Sequence, residues 1–204
     1  MKQNRCLMLL CVSMLCTALL WGCRIRGPRD YWYVDSKYHT DIRSVAVLPL
    51  HNLSNEVNAG VIMTNLLMAE LVHLGRFRVV KYGDLREFLL QRHMTSVSTV
   101  DSDVLHILRK EFRIDAVITG TVFEYGEGLE ASGNGRGEGT NLPAIFVSCS
   151  ILDTRTGRIL ARGDFYEKGG AQGYLLSKRE RQGAFSLAQG LAHNLIRVLF
   201  TDEA

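Results

Sequence analysis

The residues able to do chemistry are few and scattered. The six histidines, His39, His51, His73, His93, His106 and His193, show no ligand spacing between any two. There is no His-Glu-x-x-His pair, no Cys-x-x-Cys, no Gly-x-Ser-x-Gly and no phosphate-loop lysine. Close carboxylates such as Asp101 and Asp103 read as helix-start charges, which the helix dipole favours. The most unusual stretch is GEGLEASGNGRGEGTNL, residues 126–142, where Gly133, Gly135, Gly137 and Gly139 alternate. A phosphate loop would open a helix with a lysine and a hydroxyl, and a dinucleotide fingerprint would also lead into a helix. Here Pro143-Ala144-Ile145-Phe146-Val147 follows, a strand, so the segment is a flexible hairpin connection. The sequence therefore predicts no catalytic, metal or cofactor site, and no enzyme.

The cysteines point to a different chemistry. Lys2 and Arg5 form a positive start, Cys6 to Trp21 an apolar stretch, and Gly22-Cys23 a small-residue cleavage point. This is the plan of a signal peptide over residues 1–22. Leu20-Trp21-Gly22-Cys23 resembles a bacterial lipobox, in which the cysteine is acylated and becomes the new N-terminus; Trp21 stands where a small residue is usual. The alternative is an uncleaved membrane anchor, for which sixteen apolar residues are short. With the leader removed and Cys23 carrying lipid, Cys149 is the one thiol left, so no disulfide can form within the chain. Alternation over Ala144–Asp153 puts Cys149 on one face with Ile145, Val147 and Ile151, the place of a small buried hydrophobe. Loss of Lys2 and Arg5 lowers the formal charge from +3 to about +1. No basic stripe remains, which argues against a nucleic-acid partner.

Around these residues the chain reads as one α/β (α+β) domain. Val45 to Leu50 is a continuous apolar run, the pattern of a doubly covered strand. After the polar turn His51–Asn55, a helix is predicted over Val57–Leu74, with Gly75 as its C-cap. Phe77–Val80 then completes a βαβ unit. Further helices are expected over Tyr82–Arg92, over a segment capped by Asp101-Ser102 with Val104, Leu105, Ile107, Leu108 and Phe112 at helical spacing, and over Leu175–Phe200. Strands are expected over Ala116–Tyr125, Ala144–Asp153 and Arg158–Glu167, the last two joined by the Thr154–Gly157 hairpin turn. Together they predict a mixed sheet with helices packed on it, residues 44–201, preceded by a tether over residues 23–43.

The stretch VAVLPLHNLS…AGVIMTNLLMAELVHLGRFRVVKYGDLREFL, the VITGTV strand and the Asp153-Thr154-Arg155-Thr156-Gly157 turn are similar to the CsgG family of bacterial envelope lipoproteins. That family includes the curli secretion channel, a polysaccharide export lipoprotein (PelC) and penicillin-binding-protein activators. The resemblance runs from about Ser44 to Phe200. It implies a CsgG-like fold and a non-catalytic, lipid-anchored outer-membrane lipoprotein facing the periplasm. Such a chain would serve as an assembly, export or activator subunit of envelope export or cell-wall machinery. It also leaves two alternatives: a self-sufficient secretion pore, and a small-ligand or enzymatic domain. In the resemblance, Arg24 is not the aspartate associated with inner-membrane retention. Acylation at Cys23, with palmitate, is the implied attachment.

Two surfaces follow from the residues themselves. The Val57–Leu74 helix is apolar nearly all round, broken only by Thr64, Asn65, Glu70 and His73, and so requires cover on two sides. The second cover is either the chain's own terminal segment or another copy, the contact falling on Val61, Met68 and Val72 or on the opposite Met63 and Leu67. In the tether, Tyr31, Trp32 and Tyr33 suit a membrane interface or a protein contact. Alternatively, they fold back over the buried helix.

Overall fold

The computed structural model describes residues 30–35, 42–93, 100–127, 143–169 and 183–200. In chain order these form β1 (Tyr31–Val34), β2 (Ser44–Val47), β3 (His51–Asn52), α1 (Ala59–Leu74), β4 (Arg78–Val80), α2 (Tyr82–Gln91), α3 (Ser102–Phe112), β5 (Ala116–Glu127), β6 (Pro143–Asp153), β7 (Ile159–Lys168) and α4 (Ala184–Phe200). The sheet runs β1-β7-β6-β5-β2-β4, with β3 also on β5. Strands β2, β3, β4 and β5 pair in parallel, while β6, β7 and β1 join antiparallel. The predicted βαβ start is thus β2-α1-β4, inside the mixed sheet expected.

Helices cover the sheet unequally. On one face α1 and α4 bury Met63, Leu67, Leu71, Leu191, Leu195 and Leu199 against Val45, Val47, Ile118, Ile145, Val147 and Cys149. On the other, α2 and α3 bury Leu85, Leu89, Leu105 and Leu108 against Ala46, Leu48, Val80 and Val117. That second cluster stops at the first residues of β5. Beyond it the antiparallel half of the sheet carries Thr121, Ser148, Asp164, Arg162 and Tyr31, together with the packed rings of Phe123, Phe146 and Tyr166.

The run from Val45 to Leu50 is not one strand. Pro49 has no N–H to give the ladder. The backbone leaves the sheet there, and the Leu50 N–H bonds Thr64 Oγ1 at 3.0 Å instead. Thr64 Oγ1 donates in turn to the Gly60 carbonyl at 2.7 Å. The break in the strand thereby becomes the seat of the first turn of α1.

The tether is also revised. Tyr31–Val34 is an edge strand in register with β7, Trp32 opposite Gly163 and Val34 opposite Ala161. The Asp35 N–H donates to the Leu160 carbonyl at 2.8 Å, and Asp35 meets Arg158 at 3.5 Å. The sheet therefore begins ahead of Ser44. At the other terminus the helix is described from Ala184; the expected residues 175–182 lie outside the described residues, as do most of the glycine-rich connection and Cys23.

Candidate functional site

The described residues hold no group of three or more His, Cys, Asp or Glu able to take a metal ion. Nor does any buried side-chain nitrogen or oxygen among them lack a partner. The densest polar cluster ties strand starts together. Asp115 Oδ2 accepts from the Arg43 and Ser44 N–H groups at 3.1 and 3.0 Å. The Thr154 hydroxyl lies 2.6 Å from the Ile114 carbonyl and 2.9 Å from that of Asp115. Every partner there is spoken for, so the cluster is a fastening rather than a site. Cys149 is 1% exposed, and burial, with Asp164 adding to it, pushes its thiol up to about 12. A thiol so held is not a nucleophile at neutral pH.

The three tether aromatics divide across β1. Tyr31 and Tyr33 lie opposite Asp164 and Arg162 on the water-facing side of the sheet, 69% and 53% exposed. Trp32, 41% exposed, points to the α4 side over Gly163. A Cβ at Gly163 would meet the Phe165 ring at 2.3 Å and Trp32 Cβ at 3.3 Å, so glycine leaves room for both rings. The aromatics neither stay in a free tether nor cover α1; they make an edge.

Helix α1 gains its second cover from α4, but only along one flank. His193 Nδ1 and Glu70 Oε2 approach to 2.9 Å. Arg76 donates to the Phe200 carbonyl at 2.6 Å, and the Phe77 and Phe200 rings pack with centroids 4.9 Å apart. Met63 and Leu67 face the sheet at 0% exposure. They have no surface to offer another copy, which corrects their place as contact candidates. Val61 and Val72 stay 63% and 64% exposed, with Met68 half-buried between them. Met68 and Val72 also line an open groove of about 610 Å³ together with Ala69, His73, Val79, Lys81 and Gly83. The groove runs beside β4, the edge strand opposite β1.

A second, smaller hollow lies between the start of β1 and α4, lined by Asp30, Glu167, Gly190 and Asn194. Asp30 Oδ1 accepts from the Tyr166 N–H at 3.0 Å. Burial, and then the nearby Asp30, raises the pKa of Glu167 above its ordinary value. Sequence reasoning missed this hollow, which pairs residues from the two ends of the chain. It also missed Leu53, Val57, Phe123 and Phe185, all exposed by two-fifths or more.

The fold places the chain among known structures. PelC from Paraburkholderia phytofirmans, solved as a dodecamer, aligns with TM-scores of 0.52 and 0.56 in two crystal forms at 13% identity. The alignments cover 84% and 83% of this chain and 98% and 96% of PelC. Lipoprotein GNA1162 from Neisseria meningitidis aligns at TM-score 0.50 and 21% identity over 76% of this chain and 94% of its own. At such identities the likeness is one of fold. No curated protein sequence matches significantly. The family model for the curli production assembly/transport component CsgG matches residues 37–165, more than half of the 204 residues. The chain is a member of the CsgG family.

Proposed function

We propose that the chain is a non-catalytic outer-membrane lipoprotein facing the periplasm, anchored through acylated Cys23. In this reading it assembles with further copies of itself as an export, assembly or activator subunit of envelope machinery. The observation that carries the reading is the outer stripe of α1. Val61, Met68 and Val72 lie along one face of α1, interrupted by Asn65, and Met68 and Val72 line an open groove beside an edge strand, the kind of surface that marks a protein contact. Support comes from the dodecameric PelC, built on the same fold, and from the transport component that gives the family its name. In a ring each copy would set this strip head-to-tail against a different surface of the next, a contact that closes when the rotation allows.

The test is light scattering of the detergent-solubilised protein, wild type against Val61→Asp with Val72→Asp. Wild type should scatter as an oligomer and the double variant as a smaller species with unchanged circular dichroism. A wild-type monomer at high micromolar concentration would refute self-assembly.

A further inference from the structure

We infer that the end of the sheet where β2, β4 and β5 begin binds an anionic polysaccharide, one that carries carboxylates on successive sugars. Strand β6 finishes at this end and β7 starts there. Each of the five strands brings one exposed arginine within three residues of its end. In sheet order these are Arg158 for β7, Arg155 for β6, Arg113 for β5, Arg43 for β2 and Arg78 for β4. They lie far apart in the chain and form no stripe in the sequence. The sheet makes them a row. Its backbone is tied together: the Arg78 N–H donates to the Arg43 carbonyl at 2.9 Å, and the Arg78 guanidinium donates to the Phe112 and Arg113 carbonyls at 3.0 and 2.7 Å. The carboxylates nearby serve the backbone. Asp115 accepts from the Arg43 and Ser44 N–H groups, and Asp153 from the Arg155 N–H at 2.8 Å and the Thr156 hydroxyl at 2.7 Å. Asp35 meets Arg158 at 3.5 Å and Asp115 meets Arg109 at 3.7 Å. No carboxylate among the described residues meets the guanidinium groups of Arg43, Arg113 or Arg155. Arg113 also closes α3 at φ 53° and ψ 45°, the left-handed conformation that glycine takes most readily. Backbone strain of this kind gathers at functional sites.

The row selects its ligand by charge and by step. Guanidinium groups take carboxylate oxygens in pairs, and neighbouring strands stand about 4.8 Å apart. A sugar ring in an extended chain advances by a similar length, so successive uronic acids can meet successive arginines. An extended peptide brings carboxylates to one side every roughly 6.7 Å and falls out of step. Among the described residues, Ile159 is the one large apolar side chain exposed within the row. The row therefore lacks the aromatic or aliphatic centre of a protein interface and the apolar face that a lipid interface requires. A nucleic acid, the other common polyanion, is set aside by the periplasmic location proposed above, and that choice rests on it.

The experiment measures binding of the full-length, detergent-solubilised protein to immobilised polygalacturonate. Wild type should bind, release as salt is added and ignore dextran, a neutral glucan. Arg43→Gln with Arg155→Gln should bind several-fold more weakly at unchanged circular dichroism. Arg113→Asn should also bind more weakly, and asparagine accepts the left-handed backbone. Arg86→Gln with Arg92→Gln removes the same charge from exposed positions at α2 and should bind like wild type. Equal losses in the two double variants, no binding by wild type, or binding to dextran overturns the inference. Equal or tighter binding to polyglutamate, to a single-stranded oligonucleotide or to phosphatidylglycerol vesicles overturns it as well. Light scattering of the same samples reads self-assembly separately. An oligomer that ignores polygalacturonate sinks the glycan site alone, and a monomer that binds it sinks self-assembly alone.

Discussion

A Cβ placed on Gly120 would lie 2.2 Å from the Ser148 carbonyl oxygen and 2.9 Å from Cys149 Sγ. The first of these is backbone in the neighbouring strand and cannot rotate away. Gly120→Ala should therefore push β5 and β6 apart at their centre and cost about 1–3 kcal/mol, the range for overpacking a close-fitted core. Urea denaturation measures it; a midpoint within error of wild type would contradict the close approach. Sequence made this residue visible as part of a VITGTV strand, but not its role. The crowding comes from Ser148 and Cys149, far along the chain, and pairing register cannot be read from one strand alone. Cys149 was the easier case, because alternation along β6 fixes its face and the face fixes its burial.

Among the elements, α1 shows both how far the hydrophobic pattern reaches and where it stops. An all-apolar helix requires cover on several sides, and the sheet and α4 supply two. The pattern alone gave Met63 and Val61 equal standing, since both sit on apolar faces. Only the placement of β2 and α4 separates them, leaving Met63 at 0% exposure and Val61 at 63%. Met63→Ala should then cost about 2–5 kcal/mol through the cavity it leaves, and Val61→Ala should stay within about 0.5 kcal/mol. Thermal or urea unfolding of the two variants under conditions that keep the chain monomeric checks this; comparable losses would show the helix to be turned differently. Strand β1 escaped the sequence for a related reason. Four residues with exposed aromatics carry no alternation, and the partner Gly163 is distant in sequence. The break at Pro49 was legible in principle, since a proline cannot donate inside a ladder. The reward for breaking there, the Thr64 bond to Leu50, was not.

At the scale of the whole molecule, the sheet and its connections bear on whether the chain could form a channel. A channel would require each copy to contribute strands to a closed barrel, because no backbone group at lipid depth can stay unpaired. The described helices include none long and apolar enough to cross, so strands would have to serve. Strands β5 and β6 close in register up to Glu127 opposite Pro143. Between them stand fifteen residues, 128–142. A spanning hairpin needs two strands of about ten residues each, with an apolar outward face. This segment is too short for that, and it offers Glu130, Arg136, Glu138 and a run of glycines where lipid-facing side chains belong. An arginine at the bilayer midplane costs about 2–4 kcal/mol per copy, repeated around any ring. The purified protein should therefore leave planar bilayers electrically silent at every protein concentration. Reproducible stepwise conductance from the protein alone would reverse the argument, make the chain a pore in its own right, and require strands from outside residues 128–142.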